Sequence, residues 1–161
     1  MVGRESERAE LAAALGAARQ GDGRAALLLG EAGMGKSVLA DWLAREARAS
    51  GVQVARGACS AAGTAPLWPW QRALAEIAPR LRWHGDGGTS GREVLTAAVV
   101  DALAAAARRR PLLVVIEDLH WCDPASLTVL RAAVDAASSL AVMLLLTCRD
   151  DPLDALSLIH I

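Results

Sequence analysis

Short apolar runs alternate along this 161-residue chain with longer stretches in which apolar residues recur every three or four positions. The short runs predict β-strands and the longer stretches predict amphipathic helices. Strands are predicted at residues 25–29, 52–58, 112–116 and 140–147. Helices are predicted at residues 5–19, 36–49, 92–109 and 124–137, with one more that follows a turn at 65–70 and reaches about residue 81. This alternation predicts an α/β fold, with a parallel sheet and helices on both faces.

Local sequence signals add predictions about one strand, one loop and one helix start. The run at 25–29 is apolar throughout and leads into a Gly-rich segment, so it is expected to be a fully buried strand. The Gly-rich residues 84–91 predict a flexible loop. Asp123 and Pro124 are the residue types favoured at the N-cap and the first position of a helix, which places a helix start there.

Composition narrows the classes of function. The formal net charge is −1, so no overall basic field attracts nucleic acid or a membrane surface. Phe and Tyr are absent, which disfavours a protein that stacks single-stranded bases. The longest apolar run, at 140–146, is too short to span a bilayer, and the start of the chain is charged. The three cysteines form no CxxC pair, which indicates free thiols in a reducing cytoplasm.

The most informative segment is GEAGMGKS, which contains Lys36, the only lysine of the chain. It matches the phosphate-binding P-loop, G-x-x-x-x-G-K-[ST], between a predicted strand and a predicted helix. Glycines allow backbone N–H groups to approach phosphate oxygens, the lysine adds a compact positive charge, and the serine hydroxyl is a ligand for Mg²⁺. The residues predicted to bind the nucleotide here are Gly30, Glu31, Ala32, Gly33, Met34, Gly35, Lys36, Ser37 and Val38.

Two further segments carry candidate chemistry at strand ends. Glu117 and Asp118 follow the apolar run at 112–116, and the carboxyl edge of a parallel sheet is where ligands bind. One carboxylate there can hold Mg²⁺ through water and the other can orient an attacking water, so both are candidate metal and catalytic residues. Arg149 follows the fourth strand, where it is either a sensor of the γ-phosphate or a surface residue paired with the acids at 150 and 151.

Taken together, VGRE at 2–5, GEAGMGKS, IEDLHWCDPASL at 116–127 and LLLTCRDD at 144–151 resemble the ATP-binding core of AAA-related STAND ATPases. The likeness is to the ATP-binding domain of large LuxR-type bacterial transcriptional regulators. It implies a P-loop NTPase of the ASCE/AAA-like type that binds ATP and Mg²⁺ and hydrolyses ATP slowly as a switch. It also implies that Val2, Gly3 and Arg4 lie against the adenine. By the same resemblance, Glu117 occupies the position of the acid that binds the metal, where Asp is common, and Asp118 occupies the position of the acid that orients the attacking water. Arg149 matches the arginine that senses the γ-phosphate.

The same resemblance sets expectations for the whole protein. Such domains have a fifth strand and a helical lid, which are not found after residue 147, so residues 1–151 are expected to form a partial domain and 152–161 a truncated or non-native tail. DNA would be bound only through a C-terminal domain outside this chain, with no membrane partner, and the nucleotide would control self-association. Two alternatives stay open, namely a fast AAA-type ATPase in DNA processing or remodelling, and a structural remnant that binds nothing.

Overall fold

A computed structural model describes residues 4–62, 65–83 and 89–149 of the chain. The strands are β1 (Arg24–Leu29), β2 (Gln53–Ala58), β3 (Leu112–Glu117) and β4 (Val142–Cys148). The α-helices are α1 (Glu5–Arg19), α2 (Lys36–Ala49), α3 (Trp68–Leu74), α4 (Thr89–Arg109) and α5 (Pro124–Ala137). A short 3₁₀ helix, Leu119–Trp121, follows β3.

The four strands form one parallel sheet in the order β1-β4-β3-β2. Parallel strands need crossover connections, and the helices between them provide these. Alternate residues of β3 face opposite sides of the sheet: Leu113 and Val115 pack with α1 and α2, whereas Val114 and Ile116 pack with α3, α4 and α5. The predicted α/β fold, a parallel sheet with helices on both faces, is therefore confirmed.

The central strands are buried to the degree that their continuous apolar runs predict. β4 is buried at every position, and β3 at every position except Glu117 at its end. The prediction that the strand at 25–29 is fully buried is wrong, because β1 pairs only with β4 among the described residues and its last residue, Leu29, is 43% exposed. An apolar run therefore does not distinguish an edge strand from a central one.

Two helix boundaries also differ from the prediction. α3 ends at Leu74, and turns replace its predicted continuation to about residue 81. Pro79 lacks an N–H and restricts the residue before it, so the helix cannot run on through this segment. α4 begins at Thr89, inside the predicted loop at 84–91; residues 84–88 of that loop and the predicted tail at 152–161 lie outside the described residues.

The start of α5 confirms the predicted cap. Asp123 has extended backbone geometry, and its carboxylate accepts a hydrogen bond from the backbone N–H of Ser126 at 2.9 Å. The same carboxylate accepts the Ser126 hydroxyl and the backbone N–H of Leu67. Asp123 thus connects α5 to the residues that begin α3. Among the described residues, no helix has the length and apolar character required to cross a membrane.

Candidate functional site

The predicted P-loop joins β1 to α2 through residues 30–35. Gly30, Gly33 and Gly35 all have positive φ, as the motif predicts, with values of 82° at Gly33 and 81° at Gly35. Gly35 adopts the left-handed conformation at the N-cap of α2. Residues with a Cβ rarely adopt this conformation, so glycine allows the chain to turn directly from the loop into the helix. The first turn of α2 therefore directs its unpaired N–H groups toward the loop.

Lys36 lies across this loop. Its Nζ donates hydrogen bonds to the carbonyl oxygens of Gly30, at 2.5 Å, and Glu31, at 2.8 Å, and only 8% of the residue is exposed. The ammonium is therefore held at the loop by the first two residues of the motif. The loop residues Glu31, Ala32, Gly33 and Met34, and Ser37 and Val38 after the lysine, are exposed. This arrangement combines a fixed positive charge, the N-terminal N–H groups of α2 and an accessible hydroxyl, which are the groups that bind a polyphosphate and its metal.

Arg4 reaches the same loop from the start of α1. Its guanidinium donates a hydrogen bond to the carbonyl oxygen of Met34 and lies 3.9 Å from the carboxylate of Glu7. Arg4, from the VGRE segment at 2–5, thus contacts the P-loop. Val2 and Gly3, the other residues expected near the adenine, lie outside the described residues.

Glu117 ends β3 and forms an ion pair that the sequence did not predict. Its Oε1 accepts a hydrogen bond from Arg56 of β2 at 2.6 Å, and the other arm of Arg56 contacts Oδ1 of Asp41 in α2 at 2.5 Å. Burial lowers the pKa of Arg56, but the hydrogen bonds to Asp41 and Glu117 outweigh it and leave that pKa raised. Asp41 is one helical turn after Ser37, so Arg56 ties Glu117 to the face of α2 that carries the P-loop serine.

Asp118, the second acid, has a left-handed backbone with φ 58° and ψ 47°. Its backbone N–H donates to the hydroxyl of Thr147 at 3.0 Å, and Thr147 is buried at the end of β4. This bond joins the ends of the two central strands, while the residue itself is exposed. Thr147 is a second site residue that the sequence did not reveal, since one threonine in an apolar strand gives no signal of its partner.

Cys148 lies where these groups meet. Burial raises the pKa of its thiol, while hydrogen bonds from the backbone N–H groups of Arg149 and His120 and the charge of Lys36 lower it. The strands β1, β3 and β4 are parallel, so the P-loop after β1, Asp118 after β3 and the end of β4 share one edge of the sheet. Arg149 is exposed at this edge. No group of three or more His, Cys, Asp or Glu side chains that could hold a metal ion occurs in the described part of the chain.

Comparison with known proteins gives one result that bears on this geometry. No curated protein matches the chain. A family model described as AAA ATPase domain matches residues 1–147, which include the P-loop, Glu117 at the end of β3, Asp118 and nearly all of β4. We conclude that the chain belongs to the AAA ATPase domain family.

Proposed function

We propose that this domain is an ATP- and Mg²⁺-binding switch with slow hydrolysis, within a signal-responsive LuxR-type transcriptional regulator. The observation that carries the proposal is the position of Lys36, which is held across a glycine loop at the sheet edge where β3 ends with Glu117 and Asp118 follows. Membership of the AAA ATPase family supports nucleotide binding. The regulator role rests on the resemblance of the VGRE and DLHWCDPASL segments to LuxR-type proteins.

The residues of the P-loop and its neighbours fit a nucleoside triphosphate. Backbone N–H groups of Gly33, Gly35 and Ser37 and the ammonium of Lys36 would receive the phosphates. Ser37 would hold Mg²⁺ together with Glu117, and the ion would neutralise phosphate charge. Val2, Gly3 and Arg4 would lie against the adenine, which is consistent with the bond from Arg4 to Met34.

The pairing of Glu117 favours a switch over a fast enzyme. Its Oε1 already accepts a hydrogen bond from a guanidinium, which leaves fewer acceptor sites for a metal-bound water. A cation on the carboxylate also reduces the attraction that it offers to a second cation. Weaker metal binding at this acid would slow hydrolysis and prolong the ATP-bound state, which suits a regulator.

In this proposal Asp118 orients the attacking water and Arg149 senses the γ-phosphate. Both residues are exposed at the ligand edge of the sheet, where a nucleotide has access to them. The bound nucleotide would control self-association, and DNA would be contacted through a C-terminal domain of the full-length regulator in the cytoplasm.

Turnover measurements test this proposal. We expect steady-state hydrolysis by the purified chain below about 0.1 s⁻¹, whereas most enzymes turn over at about 1 s⁻¹ or faster. Asp118→Asn should lower the single-turnover rate by about 10²-fold or more with little change in ATP affinity. Asn suits this test because it tolerates the left-handed backbone of this position as Asp does.

Two outcomes would contradict the proposal. Steady-state turnover at or above about 1 s⁻¹ would indicate the alternative, a fast AAA-type ATPase. An unchanged single-turnover rate in Asp118→Asn would remove this carboxylate from the catalytic role.

A further inference from the structure

One arginine lies between two carboxylates beside the proposed metal site. The two arms of Arg56 contact different acids: Nη1 is 2.5 Å from Oδ1 of Asp41, and Nη2 is 2.6 Å from Oε1 of Glu117. The three residues belong to β2, to α2 and to the end of β3, so the cluster joins three elements of the fold. A single guanidinium therefore serves two carboxylates, and the cluster keeps an excess of negative charge.

The alternation of side chains along the strands explains why Arg56 meets both acids. Val54 of β2 and Val115 of β3 pack on the face of the sheet that α1 and α2 cover. Side chains two residues apart on a strand lie on the same face, so Arg56 and Glu117 lie on this face as well. Arg56 is opposite Val115 in the register of the two strands, which makes Glu117 its diagonal neighbour. Asp41 approaches the same guanidinium from α2, the helix that the P-loop begins.

The two carboxylates differ in their contact with water. The side chain of Glu117 is 16% exposed, whereas that of Asp41 is 55% exposed. Water can replace the guanidinium at Asp41, so the contact of Asp41 with Arg56 contributes little to the stability of the fold. That contact does occupy one arm of Arg56, and it holds part of the positive charge away from Glu117. Asp41 can therefore affect Glu117 without being essential for folding.

We propose that Asp41 is a positioning residue that raises the affinity of the Mg²⁺ site, because it competes with Glu117 for Arg56. This inference rests on the proposed function, in which Glu117 helps to hold Mg²⁺. While Asp41 engages one arm of Arg56, Glu117 keeps acceptor sites and negative charge for a hydrated cation. Without Asp41, both arms of the guanidinium are available to Glu117 in the bidentate geometry that arginine and carboxylate favour. The binding of Mg²⁺ would then weaken.

The competition predicts opposite effects for two substitutions in the same ion-pair cluster. Asp41→Asn leaves the guanidinium entirely to Glu117 and should weaken the binding of Mg²⁺. Arg56→Gln removes the competing cation and should strengthen it. Because both ion pairs are partly exposed, we expect a change of about threefold to tenfold in each direction. A loss of structure would weaken the binding in both variants, so opposite signs distinguish the competition from damage to the fold.

The test measures the binding of a fluorescent ATP analogue to the whole chain, with saturating Mg²⁺ and again in EDTA. The ratio of the two affinities separates the effect of the metal from that of the phosphate contacts. This ratio should fall in Asp41→Asn and rise in Arg56→Gln, and Arg56→Lys, which keeps the charge, should lie between the wild type and Arg56→Gln. The double variant should match Arg56→Gln within about twofold, since Asp41 acts through Arg56.

Matched controls come from the exposed ion pair between Asp22 and Arg24, at the end of the sheet opposite the P-loop. Asp22→Asn and Arg24→Gln make the same changes in charge and should keep the wild-type ratio, with every variant folded by circular dichroism. Equal ratios in the wild type, Asp41→Asn and Arg56→Gln, or shifts in one direction, would overturn the inference. So would an Asp41→Asn effect that persists without Arg56. Failure of the wild type to bind the analogue would instead contradict the proposed function, and this inference with it.

Discussion

At the scale of single residues, the Arg56–Glu117 pair is the feature that most alters the account of the site. Glu117 ends a strand in the middle of the sheet, where only 16% of its side chain is exposed. A carboxylate with so little contact with water requires a hydrogen-bond donor, and Arg56 of the neighbouring strand provides it. The pair therefore stabilises the fold and also adjusts the charge of a proposed metal ligand.

A double-mutant cycle measures the interaction free energy between Arg56 and Glu117. Without nucleotide, Arg56→Met should lower the free energy of unfolding by about 1–2 kcal/mol, because the largely buried side chain of Glu117 would lose its hydrogen-bond donor. Glu117→Gln should cost a similar amount, and the double variant should cost less than both single costs combined, with a coupling of about 1 kcal/mol. Urea unfolding followed by circular dichroism gives these values. Costs that simply add would mean that the two side chains do not stabilise each other.

The sequence did not reveal Arg56 for an identifiable reason. Its partners Asp41 and Glu117 lie on α2 and β3, and only the sheet order brings them together. One signal was available, since an arginine between Ala55 and Gly57 in a half-buried strand is unusual and implies a nearby acid. That signal does not identify the acid.

At the scale of elements, the residue that caps α5 also makes a contact that is distant in the sequence. Asp123 was predicted as a helix N-cap from its type and from the proline after it, and that prediction is confirmed. The structure adds that the same carboxylate binds Leu67 before α3. The sequence could reveal the cap because its partner is three residues away, whereas Leu67 is 56 residues away.

Removal of this cap should destabilise the domain strongly. Asp123→Ala would leave the fully buried Ser126 and the Leu67 N–H without an acceptor, and we expect a loss of about 2–3 kcal/mol in the free energy of unfolding. Asp123→Asn keeps one carbonyl acceptor and should lose about 1 kcal/mol. Asp135→Ala, at an exposed position of the same helix, is the matched control and should stay within about 0.5 kcal/mol of the wild type. Equal losses for Asp123→Ala and Asp135→Ala would contradict the role of the cap.

At the scale of the whole molecule, the order of the strands decides which surfaces are exposed. The apolar pattern predicted four strands and their parallel arrangement, because each run is short and is separated by a helix from the next. It did not predict that β1 is only partly buried, because edge and central strands have similar apolar runs here. In the described part of the chain, β1 has one free edge that ends at the exposed Leu29.

An exposed strand edge with apolar side chains can pair with a second chain. We therefore predict that the 161-residue chain self-associates at low micromolar concentration, as measured by sedimentation velocity. Leu29→Lys should increase the monomer fraction, because a charge on an edge strand opposes pairing. Val94→Lys adds the same charge at an exposed large apolar residue of α4, 70% exposed, and should leave the association unchanged. A monomeric wild type, or an equal effect of both variants, would mean that the β1 edge does not drive association.

The central claim is that the glycine loop around Lys36 binds the phosphates of ATP. Titration of a fluorescent ATP analogue, with Mg²⁺ present, into the wild type and Lys36→Ala tests it most directly. Lys36→Ala removes the ammonium that lies across the loop, and we expect affinity to fall by about 10²-fold, since a charged hydrogen-bonding group contributes about 1.5–3 kcal/mol. Arg48→Ala, which removes an exposed charge from the last turn of the same helix, should bind as the wild type does. Equal affinity of Lys36→Ala and the wild type, with both folded by circular dichroism, would contradict the claim.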